Sequence, residues 1–109
     1  MNEFKEISNL LVEFRDERDW EQFHNPKDLA IALSVETGEL LEVFLWKSPE
    51  DANKEKVKEE LADIFAFGLL LADKYGFDLK EIVMEKIIRN GEKYPVEKAK
   101  GTAKKYNEL

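Results

Sequence analysis

The sequence predicts an all-α protein of the four-helix-bundle type. Apolar residues recur at three- and four-residue intervals through most of the chain. Helix-start and helix-stop residues fall between those periodic segments, and no segment alternates apolar and polar residues as a half-buried strand would. At 109 residues the chain has the length of one domain with a modest core, a size at which burial is often completed by association. Residues 1–95 are expected to form the helical domain. Residues 96–109, with little apolar content and no strong period, are expected to form an extended or mobile tail.

Taken in order, residues 2–18 read as an amphipathic helix, with Phe4, Ile7, Leu10, Leu11 and Phe14 on one stripe and charges between them. RDERDWEQFHNP follows, a loop carrying Trp20, Phe23 and the only histidine, His24. Asn25 and Pro26 open a second helix as N-cap and first helical residue, with Asp28 in the first turn. This helix runs to about Trp46. Ser48, Pro49 and Asp51 punctuate next, and EDANKEKVKEE reads as part loop, part exposed helical turn. A third helix spans about Lys56 to Tyr75, with Val57, Leu61, Ile64, Gly68 and Leu71 as its stripe, and Gly76 ends it. Asp78, with Glu81 three residues on, caps a fourth helix bearing Leu79, Ile82, Val83, Lys86, Ile87 and Asn90, which stops between Gly91 and Pro95.

A formal net charge of −7 argues against a nucleic-acid-binding surface, which needs clustered Lys and Arg. There is no cysteine, hence no disulfide framework and no thiolate metal site. The N-terminus is charged from its third residue and lacks a signal-peptide core, and the apolar run 29–46 holds three glutamates, so neither secretion nor a membrane span is expected. A cytoplasmic protein is the expectation.

That apolar run, LAIALSVETGELLEVFLW, is the informative stretch. At 100° per residue Glu36 and Glu39 share a side with Leu29, Ala32 and Val43, so two carboxylates point where apolar side chains point. Burying an ionised carboxylate without a partner costs several kcal/mol or forces it to take up a proton, roughly. Glu60 and Asp63 form a second such pair on the third helix, directly before IFAFGLLLA. Two antiparallel helices could converge the four acids on one point, and a hard divalent cation would neutralise them. Mg²⁺ suits oxygen ligands and is completed by substrate phosphates. Spacing alone is weak, because Glu3/Glu6, Glu13/Asp16, Asp16/Asp19, Glu39/Glu42 and Asp78/Glu81 repeat it. The bland reading of any one pair is a solvated helix face; the apolar setting is what separates these two. A ferritin-like di-iron site needs Glu-x-x-His on two helices, which a single loop histidine does not supply.

Glu36-x-x-Glu39 followed by Glu60-x-x-Asp63 is similar to the signature of the MazG-like, all-α nucleoside triphosphate pyrophosphohydrolases. FRDERDWEQFHNPKDLAIAL, GELLEVFLWK, EELADI, Asn90-x-x-x-Tyr94-Pro95 and the closing KKYNEL resemble the dCTP pyrophosphatase branch over nearly the whole chain. The resemblance implies Mg²⁺-dependent hydrolysis of a deoxynucleoside triphosphate to the monophosphate and pyrophosphate. It implies that Glu36, Glu39, Glu60 and Asp63 are catalytic metal ligands. Trp20, His24 and Trp46 match nucleoside-pocket positions, and Lys86, Asn90 and Tyr94 match substrate-facing positions of the fourth helix. Three departures bear on base choice and phosphate contacts: Phe67 stands in place of a tyrosine, the loop between Trp46 and Glu60 is shorter, and Gly91 replaces a basic residue.

The residues themselves keep other readings open. Trp20 and Trp46 could stack a planar base or simply pack. His24 could contact a base or brace its loop. Lys86 and Lys93 could touch phosphate or be solvated, and Tyr94 could anchor a helix end. The basic tail (Lys98, Lys100, Lys104, Lys105) could close over a phosphate. Four acids and two aromatics leave so small a bundle little surface for a closed pocket, so a homo-oligomer with shared sites is expected, and the resemblance implies a homodimer or homotetramer. The competing functions are the same chemistry with broad or dUTP-type specificity, and a non-catalytic helical interaction module.

Overall fold

The structure is a computed structural model that describes residues 2–109, and among these no strand occurs. The helices are α1 (Glu3–Glu17), α2 (Pro26–Val43), α3 (Lys54–Lys74), α4 (Leu79–Lys93) and a single turn α5 (Val96–Ala99). Each long helix starts on a side-chain cap. Asn2 accepts from Lys5 N, Asn25 from Asp28 N, Asn53 from Glu55 and Lys56 N, and Asp78 from Glu81 N. Such caps satisfy the orphan amides of a first turn.

Two boundaries differ from expectation. Ser48-Pro49 opens only a 3-10 turn, Pro49–Asp51, held by Ser48 Oγ donating to Asp51 Oδ2 at 2.9 Å. The stronger cap is Asn53, so α3 begins two residues earlier than the apolar stripe suggested. α2 ends at Val43 rather than Trp46. Lys47 N–H turns back to Phe44 O at 3.1 Å, and Trp46 takes φ +60, a conformation that stops the helix. The end of α3 follows expectation: Gly76, at φ +69, lets Phe77 N–H reach Ala72 O and its own N–H reach Asp73 O. Asp19, at φ +56, closes α1 in the same way, with Trp20 N–H on Arg15 O.

α3 is the central helix: it packs along α2 and, on another side, against α1. The buried apolar residues are Leu29 and Val43 of α2 and Leu69, Leu70 and Ala72 of α3. The expected four-helix bundle is not closed within one chain. α4 is joined mainly to α1, partly through Asn2 Nδ2 donating to Asp78 Oδ2 at 3.2 Å, and its residues from Lys80 onward are exposed. α1 turns Ser8 and Arg15 inward, leaving the predicted stripe residues Phe4, Ile7, Leu10 and Phe14 about half exposed. The radius of gyration is 17.2 Å, against about 13 Å for a compact domain of this length. Beyond Pro95 the tail makes α5 and a 3-10 turn, Tyr106–Glu108, which sets the Tyr106 ring edge-on to Tyr94 at 6.2 Å. No helix among the described residues is long and apolar enough to cross a membrane.

Candidate active site

The packing that buries Leu29 and Val43 against α3 also brings the two acidic pairs together. Oxygens of Glu36, Glu60 and Asp63 lie within 4.8 Å of one another. Glu39, one turn along α2, is within side-chain hydrogen-bonding reach of both Glu36 and Glu60. Burial, then the Glu39 carboxyl beside it, pushes the Glu36 carboxyl up to about 7. Burial and Glu39 also raise Glu60. The charged forms are disfavoured because like charges meet where water is partly excluded. Glu36 Oε2 and Glu60 Oε2 are buried with no hydrogen-bond partner.

Two orphaned carboxylate oxygens facing two further carboxylates form an all-oxygen donor set with the unmet negative charge that a hard cation requires. The residues therefore fit a divalent ion. An open cleft of about 330 Å³ continues the cluster toward the far end of α2, lined by Glu39, Glu42, Val43, Lys47, Asn53, Lys56 and Glu60.

On the other side of Asp63 lies a mostly apolar cavity of about 360 Å³, lined by Leu11, Phe14, Arg15, Trp20, His24, Asp63, Ala66, Phe67 and Leu70. Trp20 and His24 thus reach the same cavity as one of the acids, with Phe67 on its wall. Trp20 meets Phe14 edge-on at 5.9 Å, so it packs and lines the cavity at once. Burial, then the charges of Arg15 and Lys74, lower the His24 pKa and hold the ring neutral.

The remaining predicted residues are not brought to the acids within one chain. Trp46 sits in the turn after α2, 94% exposed and in a left-handed conformation unusual for a bulky side chain. Lys86 and Asn90 share a shallow groove on α4 with Ile82, Val83 and Ile87. Tyr94 caps the end of α4 against the tail. Neither the acid cleft nor the Trp20–His24 cavity takes a lining residue from α4.

Sequence reasoning missed Arg15, and also Asn53 and Lys56. Arg15 was discernible: Ser8, Leu11 and Arg15 recur at three- and four-residue spacing, a second face of α1 beside the more apolar one.

The model of the MazG-like family matches residues 31–109, a range that holds all four acids. The chain is 41% identical to dCTP pyrophosphatase 1 of Mus musculus over 113 aligned residues, covering 96% of this chain and 66% of that protein. It is 37% identical to dCTP pyrophosphatase 1 of Homo sapiens, with the same coverage. It spans about two thirds of the length of these curated relatives. Among solved structures, a pyrophosphatase from Archaeoglobus fulgidus superposes with a TM-score of 0.80 at 37% identity, over 87% of this chain and 94% of that one.

Proposed function

We propose that this chain, which belongs to the MazG-like family, hydrolyses a deoxynucleoside triphosphate, dCTP or a modified dCTP, to the monophosphate and pyrophosphate. The observation that carries the reading is the convergence of Glu36, Glu60 and Asp63, with Glu39 beside them, on helices that have no structural need of four acids. The names of the relatives support the substrate class. A protein of net charge −7 would repel a triphosphate unless this local field were inverted. Mg²⁺ held by Glu36, Glu39, Glu60 and Asp63 would supply that inversion, polarise a phosphoryl oxygen and acidify a bound water. In the reaction an oxygen–phosphorus bond forms at the α-phosphorus, the bond to the bridging oxygen breaks, and pyrophosphate leaves. One of the four carboxylates accepts the water's proton.

The Trp20–His24 cavity suits a base lying beside the acids, with Trp20 and Phe67 offering apolar ring faces. Trp46, Lys86, Asn90 and Tyr94 lie outside it, and we assign them to a site completed by a second copy. The chain exposes 8719 Å², about 2,500 Å² more than a compact monomer of its mass. That excess is of the order an obligate interface buries. A homodimer or a dimer of dimers, in the cytoplasm and binding neither nucleic acid nor membrane, is the assembly we propose. The apolar wall, where Phe67 carries no hydroxyl, favours a second reading in which the same chemistry acts with broad or dUTP-type base preference.

The test is pyrophosphate release from each dNTP and NTP, with Mg²⁺ and with EDTA. Metal-dependent release fastest with dCTP is the expected result. Equal rates on all bases would sustain the second reading, and no release from any nucleotide would leave a helical interaction module.

A further inference from the structure

Arg15 is the one charged residue among those described that is buried, at 6% exposure. It comes from α1, yet its carboxylate partners lie on three segments. Its Nε and Nη2 each stand 2.9 Å from Asp16 Oδ1. Nη2 is 3.9 Å from Glu21 Oε2 and Nη1 is 3.9 Å from Asp73 Oδ2. Lys74 Nζ reaches Glu21 Oε1 at 3.4 Å. Glu21 is therefore held from both sides, by α1 and by α3.

Glu21 stands between Trp20 and the rest of the 3-10 turn Glu21–Phe23. Its carbonyl accepts the His24 N–H at 3.0 Å, while the Arg15 carbonyl accepts the Trp20 N–H at 3.1 Å. Trp20 and His24, two of the ring-bearing residues that line the cavity, are thus one bond from this network. Stability alone does not call for it, since a buried ion pair is often replaced by apolar residues at no cost. The neighbours in the cavity, Leu11 and Leu70, would accept an apolar side chain.

The second observation concerns His24. Its Nδ1 is buried without a hydrogen-bond partner. The charged groups facing the ring are Arg15 from α1, Asp63 and Lys74 from α3, and Asp19 and Glu21 from the connection, with Asp73 behind Arg15. A proton on Nδ1 would be a buried, unpaired donor near two cations, so the ring's one proton belongs on Nε2. Nε2 is the nitrogen left to meet a ligand.

We propose that Arg15 is a positioning residue of the nucleotide site. Through Glu21 and Asp73 it fixes the Trp20–His24 segment on α3, and it holds His24 as the Nε2–H tautomer, so that the cavity offers a fixed hydrogen-bond donor to the base. The inference rests on the nucleotide reading above and deepens it. Cytosine carries an acceptor at N3 where uracil and thymine carry a donor, so a fixed N–H separates them.

The test uses the full chain, in which His24 is the only histidine. Nitrogen-15 spectra at pH 8 should show the wild-type ring as one tautomer, Nε2–H, and the Arg15→Met ring with Nδ1–H also populated. In kinetics, Arg15→Met should raise KM for dCTP by about 10-fold or more and shrink the dCTP-to-dUTP preference, with kcat within about threefold. If Arg15→Met does not fold, Glu21→Gln and Asp73→Asn each cut one arm of the network and carry the same expectation. Unchanged KM and base preference, or a wild-type His24 protonated at Nδ1, overturns the proposal. Wild-type protein that hydrolyses no nucleotide would overturn the nucleotide reading, whereas the spectra would still report whether Arg15 governs the ring.

Discussion

Replacing Glu36 by glutamine should stabilise the metal-free protein while removing its response to metal. In the fold the Glu36 carboxyl keeps its proton up to about 7, whereas the ordinary value is 4.5. The folded state therefore binds a proton that the unfolded chain has already released. The stability linked to that proton is fully present below 4.5 and is lost as pH rises through about 7. At about 1.4 kcal/mol per pH unit, the gap sets a ceiling of about 3 kcal/mol. Glu36 lies at the half-buried edge of the helix pair, where water screens its neighbours, so on the order of 1 kcal/mol is expected. Glutamine keeps the shape and never ionises.

In EDTA at pH 8, Glu36→Gln should therefore melt about 4–8 °C above wild type, the equivalent of 1 kcal/mol in a domain of this size. At pH 4.5 the two should coincide. Saturating Mg²⁺, at roughly 100 times its dissociation constant, should add up to about 2.7 kcal/mol to wild type and little to the variant. The assay is thermal denaturation across pH with and without metal. A metal-free variant that melts below wild type at pH 8 would refute the claim that these carboxylates repel one another in the fold.

Asp63→Asn should keep the fold and lose about 10²–10³ of turnover, measured as pyrophosphate release, because a charge aimed at the reacting groups is removed. Trp46→Gly should leave the melting temperature unlowered, since the side chain is 94% exposed and its φ is +60, yet cost about 1–3 kcal/mol of nucleotide binding by calorimetry if the ring stacks on the base. Leu29→Ala should cost about 2–5 kcal/mol in urea unfolding, because Leu29 is 1% exposed between α2 and α3. Ile87→Asp, on the open face of α4, should shift sedimentation toward monomer, and a wild-type chain sedimenting as monomer would sink the shared-site assembly.

The four long helices, their order and two of their four N-caps were legible because they are local: Asn25-Pro26, Asp78 with Glu81, and the stop at Gly76 each act on their own backbone. The meeting of the acidic pairs was legible for a related reason. The turn-spaced residues Leu29, Ala32, Glu36, Glu39 and Val43 leave α2 one way to face α3. What the sequence did not disclose was which surface stays open. Phe4, Ile7, Leu10 and Phe14 make a helix stripe whether α3 or another chain covers it, and periodicity cannot tell the two apart. The spacing of Ser8, Leu11 and Arg15 marks a second face of α1, but spacing alone does not bury Arg15: arginine is almost never buried unless paired, and its partner Asp73 lies fifty-eight positions away in the sequence. Trp46 was hidden by a backbone choice, φ +60, that no side-chain pattern encodes.

On α2 the core residues Leu29 and Val43 share a face with Glu36 and Glu39, so core and acids cannot be separated there. Packing that buries Leu29 and Val43 against α3 brings Glu36 and Glu39 up to Glu60 and Asp63. Loosening the acids to relieve their repulsion would open that core. On the proposed reading, the energy held at the cluster would be returned when a cation binds, coupling stability to the ion. Such a site would discriminate by charge before any base is read, and the Trp20–His24 cavity, which Asp63 also lines, would do the second reading. Exchanging Glu36 for glutamine should separate the two steps: charge discrimination should be lost in metal titrations, while the cavity beside Arg15 and Glu21 should stand unchanged.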